Sequence, residues 1–444
     1  MYSFDRFLPK FFSKFSEYAS NYYICGPNHF VRNRKMVLKE YIAYIFSQRG
    51  NTNFSEAERF YKHILKNFDD SITPQAIGKQ RYYISSKLFL DMFEDFIDDL
   101  YDEFKGFSKY KEYIVTACDG SIFDLPVDNI TAEEMNVKRK KNNPKYNSKS
   151  RMSCIIDVNS RHILTAENAS RTIKETDLAF MHLLNLQERF DISKLITIYD
   201  RGYISLVLMI LSECLGAKFL IRLKSNTFKH KIDLMGKNDG KISINITNSI
   251  LDEIEDEELK IKADKIGRLE LRIVKFKLKN NETEILATNL EKDEFSINEL
   301  KELYGQRWEI ETGFDRLKNL VLIEDFSGRR KRIIEQDFYA SLLLYNIANT
   351  IKNISSKRIM RQPRKRKHKY KYVPNFSKII TLLYTYIYDL LSGPPVMTQI
   401  IMDYIVLKIA NNPTNVRIDD DNRMRNEKVD STNSHNSYKK NPMP

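Results

Sequence analysis

The chain has 444 residues, 42% of them hydrophobic, which allows one large domain with insertions or two to three domains. The net charge of +13 suggests a polyanionic partner, either nucleic acid or an anionic membrane surface, unless the excess only reflects a basic proteome. The four cysteines are not at metal-ligand spacing and are too few for a disulfide framework, so a reducing compartment is expected.

The apolar segments do not have the length of membrane spans. Residues 1–15 mix charged with apolar residues and lack the uninterrupted hydrophobic segment of a signal peptide. The longest apolar stretch, residues 379–391, is too short to cross a bilayer and contains Asp389. We therefore expect a cytoplasmic protein without a membrane partner.

Residues 1–110 have the apolar periodicity of helices. Segments 36–48 and 55–68 carry apolar residues at intervals of three and four residues, which predicts two amphipathic helices. Ser55 and Glu58 have the spacing of a capping box, so Ser55 is the predicted N-cap of the second helix. We interpret this region as helical and as a candidate DNA-binding domain.

A further helix is predicted around residue 74. Thr73 precedes Pro74 in the pattern typical of a helix start, and Arg81, Tyr82 and Lys87 follow it. This composition fits the recognition helix of a helix-turn-helix, but many ordinary surface helices share it. The sequence leaves both interpretations open.

Residues 111–225 change to strands and helices in the order β, β, β, α, β, α, β. The segments are 113–126, 151–169 (two strands), 175–190, 194–203, 205–216 and 217–224. Three antiparallel strands followed by alternating helices and strands match the ribonuclease H-like order. The predicted fold class is therefore α/β, with a mixed sheet, flanking helices, and helical N-terminal and C-terminal regions.

The predicted core is interrupted once. Residues 226–295 contain three strand-like stretches with turn residues between them, which predicts a β-rich insertion. Residues 296–350 then complete the core with two helices. Ser296 is the predicted N-cap of the first, a single long helix that tolerates Gly305 and Gly313.

The C-terminal part is basic and then polar. Residues 351–410 are predicted to form a basic linker followed by helices, and residues 411–444 lack periodicity and are predicted to be disordered. The basic run 357–371 either binds DNA phosphates without reading sequence or is a solvated linker.

Two aspartates follow predicted buried strands. Asp119 follows the first strand and Asp200 the fourth, and each alone is typical of a turn or an N-cap. In the ribonuclease H-like order these strands are neighbours, so the carboxylates would lie side by side at one edge of the sheet. Adjacent carboxylates repel unless they share a cation or a proton. Oxygen ligands suit Mg²⁺ or Mn²⁺, and two such ions support nuclease and strand-transfer chemistry.

The long predicted helix carries a polar stripe. Tyr304, Arg307, Glu311 and Lys318 fall within about 60° of one another on a helix of 3.6 residues per turn. An apolar stripe beside it would pack on the sheet, which would place Glu311 as a third carboxylate ligand. The alternative is ordinary helix support by the i, i+4 pair of Arg307 and Glu311.

The spacing Tyr304-x2-Arg307-x3-Glu311-x6-Lys318 is identical to a signature of insertion-sequence transposases of the DDE class, in the family numbered four. Further stretches resemble the same family over about residues 30–350. These are "DGSIFDLP" and "YDRGY" in its two aspartate regions, and "RLKSNTF" and "LATNL" beside its β-insertion.

The resemblance implies a transposase that cleaves the ends of an insertion sequence and joins the 3′-OH to target DNA. Its metal-binding triad would be Asp119, Asp200 and Glu311, with two Mg²⁺ or Mn²⁺ ions. The DNA contacts would come from the Tyr304, Arg307 and Lys318 positions of the signature. Double-stranded DNA of the transposon ends and of the target would be the partner, bound by a homodimer and associated with the nucleoid.

Two further residues are candidates for DNA contact. Trp308 would stack on a base or brace a flipped one, or else it is a packed core aromatic. Arg201 would hold a phosphate, or else it forms a surface salt bridge. Two other functions share the fold, a catalytically idle or domesticated DNA-binding derivative and another ribonuclease H-like nuclease.

Overall fold

A computed structural model describes residues 6–417, apart from residues 27, 33, 105–106, 138–147, 279–280 and 362–369. Within these residues the chain divides into two units. Residues 89–346 form one unit, and residues 6–88 with 347–417 form the other. None of the helices in the described ranges combines the length and the apolar character that crossing a bilayer requires.

The helices and strands follow one another along the whole described chain. The helices are α1 (Phe7–Ser13), α2 (Phe15–Tyr18), α3 (Leu38–Ser47), α4 (Asn53–Glu58), α5 (Pro74–Arg81), α6 (Lys87–Glu103), α7 (Asn129–Glu134), α8 (Glu175–Arg189), α9 (Leu206–Leu215), α10 (Lys229–Met235), α11 (Asn248–Leu251), α12 (Glu257–Ile266), α13 (Ile297–Gly305), α14 (Trp308–Arg316), α15 (Lys331–Arg361), α16 (Phe376–Ser392) and α17 (Pro395–Asn411). The strands are β1 (Lys109–Tyr110), β2 (Tyr113–Asp124), β3 (Lys149–Asp157), β4 (Ile163–Ser170), β5 (Leu195–Tyr199), β6 (Lys218–Arg222), β7 (Asp239–Asn245), β8 (Arg268–Lys277), β9 (Thr283–Thr288), β10 (Tyr370–Val373) and β11 (Thr414–Arg417).

The unit of residues 89–346 is built on one mixed sheet. Its spatial order is β4-β3-β2-β5-β6-β9-β8-β7, with β1 paired to β2. Strands β2, β3 and β4 are antiparallel neighbours, whereas β5 and β6 add in parallel on the other side of β2. This is the ribonuclease H-like order, so the predicted fold class is confirmed. Every residue of β5 is buried, as is typical of a central parallel strand.

The segment 226–295 extends this sheet. Strand β9 pairs antiparallel with β6, and β8 and β7 follow it as an antiparallel meander. Helices α10, α11 and α12 lie between these strands in the chain. The predicted strands are therefore present, joined edge to edge with the core sheet and accompanied by short helices.

The predicted single long helix after Ser296 is wrong. Ser296 does cap α13, with Glu299 completing a capping box. The helix then breaks at Gln306 and Arg307, where the backbone hydrogen bonds run to the third residue back instead of the fourth. Helix α14 starts at Trp308 and passes into a π-helical turn, Leu317–Val321. A tightened turn and a widened turn therefore bracket α14.

The other unit is helical. Helix α16 packs on α3 and on α17, and α1 packs on both α16 and α17. Thr73 caps α5 with Pro74 in its first turn, as predicted. The predicted Ser55 cap is wrong, because Thr52 caps α4 and accepts the Ser55 amide. The Glu56 carboxylate accepts hydrogen bonds from the Arg49 and Asn51 amides of the preceding loop. Because Thr52 is the N-cap, the helix starts earlier than the sequence pattern indicates.

The C-terminal predictions are only partly within the described residues. Most of the basic run 357–371 falls on residues 362–369, outside the described part of the chain. The segment predicted to be disordered from residue 411 contains β11, which pairs antiparallel with β10. Residues 418–444 also lie outside the described part.

Candidate active site

Asp119 and Asp200 lie at the same level on neighbouring parallel strands. The register of β2 and β5 pairs Ala117 with Ile198, and each aspartate follows two residues later. The predicted side-by-side placement at one sheet edge therefore follows from the backbone pairing alone. Because β3 continues to pair with β2 as far as Asp124, Asp119 lies within a strand, not after its end as predicted.

The Asp119 carboxyl is held in a partly buried environment. Its side chain is 23% exposed, and its Oδ1 accepts a hydrogen bond from the Gly120 amide at 2.8 Å. Burial raises the pKa of the Asp119 carboxyl to about 6, and the nearby carboxylates of Asp200 and Glu311 add to the rise. The Gly120 amide and the Arg307 guanidinium act in the opposite direction.

Asp200 directly follows β5 and is the N-cap of a short 3₁₀ turn, Arg201–Tyr203. Its Oδ1 accepts the Gly202 amide at 2.6 Å, so the turn-capping role typical of aspartate is present. A Cβ at Gly202 would lie 2.8 Å from Asp200 Oδ1, so only glycine fits without a shift. Arg201 is exposed in this turn.

Glu311 reaches the site through Arg307. The Arg307 guanidinium lies 2.8 Å from Glu311 Oε1 and 3.7 Å from Asp119 Oδ2, so one cation bridges the helix and the strand. Arg307 itself is 14% exposed on its side chain. The predicted i, i+4 pair of Arg307 and Glu311 is therefore present. Arg307 also contacts the Asp119 carboxylate of β2, so the pair does more than support the helix surface.

Helix α14 approaches the sheet closely because Gly313 has no side chain. A Cβ at Gly313 would lie 3.2 Å from both Ile156 Cδ1 and Tyr345 Oη. The predicted apolar stripe is buried, and its members are Leu303, Ile310, Phe314, Leu317 and Val321. Glu311 therefore stands on a helix whose apolar face is packed and whose distance from β3 is set by a glycine.

Tyr304 lies at the end of α13 and is 9% exposed. Burial raises the pKa of its hydroxyl to about 12, and its charged neighbours include Arg307, Glu284 and Arg222. Arg222 Nη2 lies 3.5 Å from Glu284 Oε2, and this ion pair links β6 and β9 near Tyr304. Glu284 is a residue that the sequence pattern missed, because it lies in the inserted segment.

Lys318 and Trp308 are placed differently from each other. Lys318 Nζ donates to the Ile122 carbonyl at 2.6 Å and lies 3.7 Å from Glu324, so it contacts the far part of β2. Trp308 is 51% exposed beside Arg307, so it is not a core aromatic. The four signature residues lie in different elements. Tyr304 is in α13, Arg307 at the break, Glu311 in α14 and Lys318 in the π-helical turn, so they do not form one row on a single straight helix.

A fourth carboxylate lies at this sheet edge. Strand β4 runs in the same direction as β2, so the helix that follows it, α8, starts at the edge where Asp119 and Asp200 lie. Glu175 is its first residue, and Arg151 of β3 lies 3.2 Å from it. The sequence pattern does not predict this pair, although Glu175 stands at the first position of the helix that follows the third core strand.

The donor chemistry suits a hard divalent cation. Among the described residues, no group of three or more histidine, cysteine, aspartate or glutamate side chains is close enough together to be a formed metal site. The carboxylates of Asp119, Asp200 and Glu311 are all oxygen donors, and the Arg307 guanidinium partly neutralises them. Partly buried carboxylates that lie close together, two of them sharing the Arg307 guanidinium, fit a cation-binding role.

The chain is similar to known transposases over part of its length. The family model described as the transposase DDE domain matches residues 111–347. The chain is 25% identical over 210 residues to the transposase InsG of insertion sequence element IS4 from Escherichia coli strain K12. That match covers 46% of this chain and 44% of the relative, so the chain spans less than half the length of this curated relative.

A solved structure also resembles the chain. The cryo-EM structure of the piggyBac transposase synaptic complex with hairpin DNA aligns with a TM-score of 0.42 and 11% identity, over 89% of this chain and 82% of that chain. The predicted resemblance to DDE transposases is confirmed by the family match, which covers more than half of the residues. The chain belongs to the transposase DDE domain family.

Proposed function

We propose that the protein is a DNA transposase that cleaves the ends of an insertion sequence and joins the released 3′-OH to target DNA. The observation that carries the proposal is the shared register of Asp119 and Asp200, with Glu311 tied to them through Arg307. Family membership of residues 111–347 supports the same reaction class. Cleavage and joining are both phosphoryl transfers, so one site serves both steps.

Asp119, Asp200 and Glu311 would hold the divalent cations, Mg²⁺ or Mn²⁺, of which we expect two. When bound, such ions activate a water or hydroxyl oxygen and stabilise the leaving oxygen. The chain supplies carboxylate oxygens from β2, from the turn after β5 and from α14. The Gly120 and Gly202 amides orient the two aspartates by donating to their Oδ1 atoms. Arg307 holds Glu311 at the strand edge.

The DNA contacts would surround these carboxylates. Arg307 is charged at the mouth of the site, and a phosphate would compete with Asp119 and Glu311 for its guanidinium. Lys318 would add a second cation. Trp308 exposes half of its surface next to Arg307, which suits stacking on an unpaired base. Arg201 is exposed after Asp200 and would contact a phosphate.

We also propose a division of labour along the chain. Residues 111–225 and 296–350 would form the catalytic core, and residues 226–295 the insertion that helps hold the DNA end. Residues 1–110 would recognise the end. The family match over residues 111–347 supports the limits of the core. The net charge of +13 supports contact with DNA over a larger surface than the site itself.

A homodimer on DNA would form through α17. One side of this helix is buried, through residues that include Ile401, Ile405 and Ile409. A second row of large apolar side chains is exposed along the same helix, namely Val396, Met397, Ile400, Tyr404 and Leu407. A helix that is apolar all round is normally buried, so this second row supports a protein contact there.

The central experiment tests the three carboxylates. We expect Asp119→Asn, Asp200→Asn and Glu311→Gln each to abolish Mg²⁺-dependent cleavage of a plasmid that carries the gene with its native flanking DNA. DNA binding, measured by gel shift, should be retained, because these residues hold cations and not phosphates. Wild-type cleavage should stop in EDTA and return when Mg²⁺ or Mn²⁺ is added.

The matched control is Glu309→Gln. Glu309 lies on the same helix as Glu311 but forms an ion pair with Arg161, so its loss should leave cleavage near the wild-type rate. Wild-type cleavage by any one of the three carboxylate variants would remove that residue from the site. Cleavage by all three would contradict the proposed function.

A further inference from the structure

Glu175 is the first residue of α8, and its carboxylate lies close to the Cβ positions of the two glycines that neighbour the aspartates. A Cβ placed on Gly120 would lie 3.5 Å from Glu175 Oε1, and one placed on Gly202 would lie 3.7 Å from Glu175 Oε2. Gly120 directly follows Asp119, and Gly202 is the amide donor of Asp200. The two oxygens of one carboxylate therefore span the gap between β2 and the turn after β5.

The immediate partner of Glu175 is Arg151. The Arg151 Nε lies 3.2 Å from Glu175 Oε1, and its Nη1 donates to the Ile173 carbonyl at 2.8 Å. An acidic residue in the first turn of a helix is favourable in any protein, because it complements the helix dipole. That general effect explains an acidic residue in the first turn, but not the position of its carboxylate next to both Gly120 and Gly202.

We propose that Glu175 is a fourth carboxylate of the divalent-cation site, contributing an oxygen opposite Glu311. The inference rests on the proposed function and deepens it. Each helical carboxylate is paired with an arginine, Glu311 with Arg307 and Glu175 with Arg151, and each lies beside a strand aspartate. A glutamate paired with an arginine therefore occurs twice near Asp119 and Asp200, and Arg307 additionally contacts Asp119.

The charge balance favours a divalent cation between these two pairs. Asp119, Asp200, Glu175 and Glu311 are four carboxylates, and within the described part of the chain two guanidinium groups, those of Arg151 and Arg307, form ion pairs with them. Two negative charges thus remain among these six side chains, in an environment where Asp119 is largely buried. A bound Mg²⁺ or Mn²⁺ would neutralise them and would compete with Arg151 for the Glu175 oxygens.

The test measures Mn²⁺ binding to the full-length protein without DNA, by the loss of the free Mn²⁺ signal in electron paramagnetic resonance. We expect Glu175→Gln to weaken Mn²⁺ binding about 10-fold or more, in the range found when groups around a metal site are changed. Asp177→Asn is the matched control, because Asp177 is an exposed acid in the same helix turn. Equal affinity of Glu175→Gln and the wild type would overturn the proposal.

Arg151→Gln separates a cation ligand from a structural ion pair. If Glu175 binds the cation, removing its competitor leaves Mn²⁺ affinity unchanged or increases it. If Arg151→Gln weakens Mn²⁺ binding as much as Glu175→Gln does, the pair only braces β3 against α8, and the proposal is wrong. Thermal unfolding of each variant without Mn²⁺ checks that the fold is retained, and Glu175→Asp, which keeps the charge, should retain part of the affinity.

This experiment also distinguishes the inference from the proposed function. Asp119→Asn should lose Mn²⁺ binding whether or not Glu175 takes part. If Asp119→Asn binds poorly and Glu175→Gln binds normally, only the fourth carboxylate is excluded. If Asp119→Asn binds Mn²⁺ as the wild type does, the cation site itself lies elsewhere.

Discussion

The strand side and the helix side of the site are positioned by different forces. Asp119 and Asp200 owe their alignment to four consecutive backbone pairs between β2 and β5, within a fully buried parallel strand. Glu311 stands on a helix bounded by a tight turn and a π-helical turn, and the shared Arg307 joins its carboxylate to that of Asp119. Hydrogen-bonded register is hard to shift, whereas side-chain packing adjusts to small changes in volume. The helix side is therefore where distant substitutions should alter the chemistry.

The largest effect should come from Gly313→Val, which moves the helix side alone. The new side chain would overlap the space held by Ile156 and Tyr345, each 3.2 Å from the Cβ position. Overpacking of this kind costs about 1–3 kcal/mol of stability. A displacement of about 1 Å at Glu311 should lower cleavage about 100-fold. Urea unfolding and a cleavage assay at a temperature where the variant stays folded measure the two effects separately.

Gly305→Ala is the matched control for this substitution. Gly305 is also helical, but nothing lies within 4 Å of its Cβ position. Alanine there should stabilise the protein by about 0.5–1 kcal/mol and leave cleavage unchanged. Equal losses in both variants would mean that the signature helix needs flexibility at its glycines, and not the close approach at Gly313.

The strand side could be predicted from the sequence because its signals are local. Apolar runs that end in aspartate mark the buried strands, and the order of elements along the chain determines which strands are neighbours. These signals therefore predict that Asp119 and Asp200 lie side by side. The error about where β2 ends arose because β3 continues the pairing beyond Cys118, and this depends on the partner strand.

The helix side could be predicted only in part, because its geometry depends on tertiary contacts. The apolar stripe and the Ser296 cap follow from spacing, but the break at Gln306 has no strong local signal beyond Gly305. From the sequence, Gly313 is only a glycine that the helix tolerates. In the structure, the side chain of Ile156 in β3 lies so close that a larger residue at position 313 would have too little space. Glu175 lies far from the signature in the chain, so only the sheet topology brings it to the site.

A second prediction examines the strand side through its burial. The pKa of the Asp119 carboxyl is about 6, above the value of about 3.9 expected in the unfolded chain. Folding therefore favours the protonated carboxyl, so this group destabilises the protein above pH 6, and the penalty disappears as the pH falls below about 4. The measured quantity is the free energy of unfolding of Asp119→Asn minus that of the wild type, both in EDTA. This difference should be about 1–3 kcal/mol more favourable to the variant at pH 8 than at pH 4.

Urea unfolding of both proteins at pH 8 and pH 4 measures this difference. The change with pH is the relevant quantity, because it separates the titration of Asp119 from the pH-independent effects of replacing the side chain. A stability difference that is the same at pH 4 and pH 8 would show that Asp119 is not buried as described. Adding Mg²⁺ at pH 8 should reverse the order, because only the wild type would be stabilised by the cation.

The smallest effect concerns Lys318, where the helix side contacts the strand side again. Its Nζ donates to Ile122, and its charge lies 3.7 Å from Glu324, which in turn accepts the Asp124 amide. Lys318 can therefore act as a brace for β2 or as a phosphate contact. Because a phosphate contact releases counterions, its loss reduces the salt dependence of binding, and the difference from the wild type shrinks as salt rises.

We expect Lys318→Ala to weaken binding to the flanking DNA several-fold at low salt and to reduce the slope of log K against log salt by about 1. Fluorescence anisotropy between about 50 and 200 mM salt measures both quantities. Glu324→Gln is the matched variant, because it removes the ion pair with Lys318 and keeps the lysine. If Lys318 contacts phosphate, Glu324→Gln retains the full slope. Parallel lines for Lys318→Ala and the wild type, with the same loss in Glu324→Gln, would mean that the lysine only joins the π-helical turn to β2.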